Sequence, residues 1–286
     1  MTSRIPASSV EIVDILFDFI EDHFDEFKHR YEPRNENQRE KWWWKNHEYG
    51  KDRGVSGESW APFVEACFVI EGEKTPFNVG HCYGNDTHNV ENFIEDTFGV
   101  SYDHNKHPCD SLSKGKGKGI DVSWRTDDNK YFLALEHSEN SDPNPGIGIC
   151  DKFNRLKPDN NAQLRGICDE ICKLKDKHST FNIIVSRPNI RDQDNKKYIS
   201  VVNDFKKHIT DILSYINPPS EEKWIIILIA PQIHVKDPIK GMTVQFHCYE
   251  WNGNQNQLVE IKGERDYFFK VETVNGFVIK CLPKVI

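Results

Sequence analysis

Val10, Val13, Leu16, Phe17, Ile20 and Phe24 recur at helical spacing, which predicts an amphipathic helix over residues 9–30 with Ser8 or Ser9 as its N-cap. Residues 31–58 are polar and irregular apart from Trp42, Trp43 and Trp44. A second helix is expected from Ser59, with Pro62 tolerated in the first turn and Phe63, Cys67 and Ile70 turned inward. A third, over Val90–Phe98, places Val90, Phe93, Ile94 and Phe98 on one side and stops at Gly99.

The period then changes. Residues 120–125 and 131–137 read as two strands around the turn TDDN. A helix near 162–175 feeds a strand at Phe181–Ser186, and a second helix–strand pair follows at about 198–216 and 224–230. Further on, Thr243–Trp251 and Leu258–Ile261 flank NGNQNQ, and YFFKVETVNGFVIKCL carries the Asn-Gly of a hairpin turn. Strands interleaved with helices and followed by hairpins predict an α/β protein with a mixed sheet.

At 286 residues the chain can bury a full core. Its longest apolar run, Trp224–Ala230, is too short to span a bilayer and reads as a buried strand, so no membrane association is expected. The acids that break the N-terminal apolar residues argue against a signal peptide. Eight Cys without framework spacing then point to a reducing cytoplasm. A net charge of −8 argues against wholesale, nonspecific nucleic-acid binding but leaves room for a local basic groove.

Two acids stand where acids are unexpected. Asp121 lies among Ile120, Val122 and Trp124, and Glu136 ends the apolar run Tyr131–Leu135. If the two strands pair as a tight hairpin, both carboxylates converge at one end of the sheet. Like charges at that range repel, and a divalent cation with oxygen ligands resolves the conflict. Such a cation activates water and stabilises charge on a phosphoryl oxygen. The plainer alternative is two strand-end acids facing water.

An Asp at a strand start, about fifteen residues before a Glu at the end of an apolar strand, resembles the PD-(D/E)xK restriction-endonuclease-like superfamily. The continuation LALEHSEN, a loop, then CDEICKLKDKHSTFNIIVSRP fits as well. The resemblance covers residues 59–187 and implies an αβββαβ core within a nuclease-like domain at 59–235. A helical extension at 1–58 precedes it and a β-hairpin extension at 236–286 follows. It implies that Asp121 and Glu136 bind Mg²⁺ or Mn²⁺, with the His137 main-chain carbonyl as a further ligand. Ser138 departs from the pattern, because it falls where the family carries Lys and cannot replace that cation. Lys173, on the helix at 162–175, is the first choice to supply it, with Glu139 or a second metal as the alternative. A helix-borne Glu often completes such sites; Glu65, Glu91 and Glu95 are the candidates, and Glu91 is taken as the catalytic one.

Lys114, Lys116 and Lys118 alternate with glycines just before Asp121, a pattern suited either to a phosphate backbone or to a solvated loop. His81, Cys82, His88, His104, His107 and Cys109 lack organised zinc spacing and read as scattered loop residues. Cys168 and Cys172 read as a small core face. The tryptophan triplet reads as a packed junction with one ring left over for stacking. The expected activity is hydrolysis of phosphodiester bonds in DNA. The alternatives are an inactive nuclease fold that serves as a binding or assembly module, or an α/β interaction protein whose two acids are ordinary. An oligomer is compatible with all three.

Overall fold

The computed structural model describes residues 5–23, 60–81, 120–138, 162–186, 195–233, 242–262, 268–274 and 277–283. Helix α1 spans Ser9–Asp22, and its Ser8 cap oxygen accepts a hydrogen bond from the Glu11 amide at 3.2 Å. Helix α2 (Trp60–Glu73) leads into a meander of β1 (Asn78–His81), β2 (Val122–Arg125) and β3 (Tyr131–Ser138). Helix α3 (Ala162–Lys175), β4 (Phe181–Ser186), α4 (Asn195–Ile216) and β5 (Lys223–Ile233) follow. The chain closes with β6 (Met242–Asn252), β7 (Gln257–Glu260), β8 (Phe268–Val274) and β9 (Phe277–Pro283).

The nine described strands join one mixed sheet in the order β1-β2-β3-β4-β5-β6-β8-β9, with β7 also paired to β6. Strands β1, β2 and β3 are antiparallel neighbours, whereas β3, β4 and β5 run parallel. The parallel strands carry nearly continuous apolar runs because both of their faces are covered. Alternate residues divide between two cores. Leu133, Leu135, Ile183, Val185, Ile225 and Ile227 face α1 and α2. Ala134, Ile184, Trp224, Ile226 and Leu228 face α3 and α4. The described elements therefore form helix, sheet and helix layers.

The hairpin expected at Thr126–Asn129 is present. The Asn129 amide donates to the Thr126 carbonyl at 2.8 Å, and Asn129 takes φ 60°, a value that Asn tolerates better than most residues. Strand β1 was not anticipated: His81, read as a loop residue, pairs with Val122. The expected helix at Val90–Phe98 lies outside the described residues. No described helix is long and apolar enough to cross a membrane.

A close approach locks α2 onto the meander. A methyl group at Gly72 would come within 2.5 Å of Trp124 Nε1 and 2.7 Å of Val79 Cγ2. The indole cannot retreat, because it is fully buried and donates to the Phe68 carbonyl at 2.7 Å. Gly72→Ala should therefore destabilise the protein by about 1–3 kcal/mol through overpacking. An unhindered helical glycine would instead gain about 0.5–1 kcal/mol from alanine. Urea unfolding separates the two, and a raised midpoint would refute the contact.

Candidate functional site

Glu136 occupies the α3-facing side of β3, two residues beyond Ala134 and level with Ile184 of β4. This is near the carboxyl end of a parallel strand, where open α/β sheets commonly bind ligands. Its carboxylate is almost fully buried, at 1% side-chain exposure. Asp121 sits immediately before β2, so the antiparallel register that pairs Val122 with Leu135 brings it beside the Glu136–His137 segment. The contact is direct: the His137 amide donates to Asp121 Oδ2 at 2.7 Å.

Helix α3 closes the site from above. Ile167, Cys168, Ile171 and Leu174 are buried against the sheet, which fixes the rotation of the helix. Lys173 then reaches inward, placing Nζ 3.2 Å from Glu136 Oε2. One turn earlier, Glu170 Oε2 lies 2.5 Å from the same ammonium. Among the described residues the site thus gathers Asp121, Glu136 and Glu170 near one lysine.

Electrostatics reflect that imbalance. Burial, then the charges of Asp121 and Glu170, push the Glu136 carboxyl well above the usual carboxylate range. Asp121 is also raised, first by burial and then by Glu65 and Glu170, with the His137 amide and Lys173 opposing the rise. Burial acts to lower the Lys173 pKa, but Glu136 and Glu170 overcome it and hold the ammonium charged.

On the other face of the sheet, Glu65 of α2 lies 3.1 Å from His81 Nε2 of β1, and both side chains are buried. Among the three candidate helix glutamates, Glu65 is described, and its charge is felt at Asp121. Glu91 and Glu95 lie outside the described residues, as do Lys114, Lys116, Lys118 and Glu139. Ser138 is buried at the end of β3; its hydroxyl has no hydrogen-bond partner among the described residues, and its carbonyl accepts from Ser186 Oγ at 3.2 Å. Glu170 was missed in the sequence, although its place three residues before Lys173 puts both on one helix face.

Among the described residues no group of three or more His, Cys, Asp or Glu side chains is placed to hold a metal ion. In kind, however, the donors fit a hard divalent cation. They are carboxyl oxygens clustered with few cations, and among the described residues Glu136 Oε1 is buried with no donor against it. No protein family, curated protein or solved structure was found to match the chain.

Proposed function

We propose that the chain is a Mg²⁺- or Mn²⁺-dependent nuclease that hydrolyses phosphodiester bonds in DNA, with Asp121, Glu136 and Lys173 as its catalytic centre. The observation that carries this reading is the meeting of a buried Glu136, a neighbouring Asp121 and the Lys173 ammonium at one sheet end. The order helix, three-stranded meander, helix, parallel strand supports it too, since that is the αβββαβ arrangement the resemblance implies.

Asp121 and Glu136 would hold the cation, with the His137 carbonyl as a further oxygen ligand. When bound, a divalent ion lowers the pKa of coordinated water and offsets charge on a phosphoryl oxygen. The His137 amide orients the Asp121 carboxylate through its 2.7 Å hydrogen bond. Lys173 supplies the positive charge that Ser138 does not, and can stabilise the extra charge of the pentacoordinate transition state. Lys114, Lys116 and Lys118, just before Asp121 in sequence, are suited to the phosphate backbone.

Calorimetry tests the ligand set. Mn²⁺ should bind the wild-type protein at one site that Asp121→Ala removes, and equal binding by both proteins would rule the assignment out. The second reading is a nuclease fold that binds DNA or a protein partner without cutting. It is favoured by the serine at position 138. DNA binding without cleavage in either metal would select it.

A further inference from the structure

Lysine is a poor substitute for a fixed cation unless something holds it. A strand-borne lysine two residues from Glu136 would be positioned by the sheet itself, whereas Lys173 approaches from a helix on a four-carbon stem. Immobilising such a stem costs up to about 2 kcal/mol of rotamer entropy. Two carboxylates meet that requirement from opposite elements. Glu136 of β3 contacts Nζ at 3.2 Å, and Glu170, from the turn of α3 before Lys173, contacts it at 2.5 Å. Lys173 retains 27% side-chain exposure, so one side of the ammonium still faces outward.

Glu170 is otherwise a burden on the site. Its charge adds to the repulsion felt by both Asp121 and Glu136. A helix surface has no need of an acid there, and the buried residues Ile167, Ile171 and Leu174 already secure α3.

We propose that Glu170 is a positioning residue which, paired with Lys173 on α3, supplies as a preoriented unit the cation that position 138 lacks. The inference rests on the nuclease reading for its chemistry, and on the three-way contact of Glu170, Lys173 and Glu136 for its geometry. Glu170 acts through the lysine. One ammonium N–H donates to Glu136 Oε2 and Glu170 holds the charge as an ion pair, while the outward side of the ammonium is left for a phosphoryl oxygen.

The test compares wild type with Glu170→Gln and Glu170→Ala, using two readouts. The first is acylation of Lys173 by an amine-reactive ester, followed by mass spectrometry and normalised to Lys177. The second is plasmid cleavage in Mn²⁺, resolved into kcat and KM. Glu170→Gln keeps the shape and removes the charge. It should raise the Lys173 acylation rate several-fold and lower kcat by roughly tenfold to a hundredfold with KM nearly unchanged, the range seen when an outer-sphere partner is lost. An unchanged acylation rate would overturn the inference, as would unchanged kcat in a variant whose lysine has become reactive. If wild type itself does not cleave, the nuclease reading fails and acylation alone decides. Faster modification still supports Glu170 as the anchor, and equal modification removes it. Glu170→Ala should match Glu170→Gln in both readouts, and a divergence confined to Ala would overturn a charge-based role.

Discussion

Supercoiled plasmid should be cut by the wild-type protein in Mn²⁺, more slowly in Mg²⁺, and at least about a thousandfold more slowly by Glu136→Ala. Glu136 is the residue on which the site converges, because it accepts from Lys173 and lies within the field of both Asp121 and Glu170. Removing it deletes a metal ligand and releases Lys173 from its strand-side contact in one step. The Mn²⁺ preference follows from the serine at position 138. With the cation carried by a helix side chain, the metal bears more of the transition-state charge, and the softer ion tolerates a less regular ligand set. Single-stranded DNA should be assayed in parallel. Equal cleavage by wild type and Glu136→Ala would mean a contaminating nuclease and would remove the enzyme reading.

How much of this was legible in the sequence depended on whether local pattern or tertiary contact decided the element. Strands β3, β4 and β5 were legible because both of their faces are largely buried, which writes nearly continuous apolar runs into Tyr131–Leu135, Phe181–Val185 (interrupted by Asn182) and Trp224–Ile229. The arm of Lys173 was legible for a related reason. The buried stripe Ile167, Ile171 and Leu174 fixes the rotation of α3, and a residue beside that stripe near its C-terminal end reaches the sheet. Strand β1 was not legible. Asn78–His81 is four residues long, contains a glycine, and becomes a strand only through its pairing with β2. Glu170 was hidden differently. An acid next to another acid on a helix reads as solvated surface, and only the packing of α3 on β3 brings the Glu170–Lys173 pair against Glu136. Glu65 was one of three candidates, with Glu91 preferred, and its contact with His81 and its effect on Asp121 set it apart from ordinary helix glutamates.

Lys173→Met should destabilise the protein by about 3–5 kcal/mol at about pH 8, the usual cost of removing one partner from a buried ion pair. Methionine keeps most of the apolar stem, so the loss reports charge rather than packing. The sign with pH follows from the site carboxyls. Asp121 and Glu136 both have pKa values raised in the folded protein, so the native state holds protons more tightly than the unfolded chain. Their contribution is fully favourable below the ordinary carboxylate value of about 4 and is lost as pH rises through the raised folded values. Without the Lys173 ammonium those folded values rise further, because its charge opposes the shift in both groups. The stability gap between wild type and Lys173→Met should therefore be smallest near pH 4, where both carboxyls are protonated in the folded protein with or without the lysine, and should widen through about pH 5 toward about pH 8. Urea unfolding at these three pH values measures it. A gap that stays constant would show that the contribution of Lys173 does not depend on the ionisation of these carboxyls and would detach the lysine from the acidic cluster. A gap that follows the predicted course would show that the Lys173 ammonium offsets the crowding of Asp121, Glu136 and Glu170 in the folded protein.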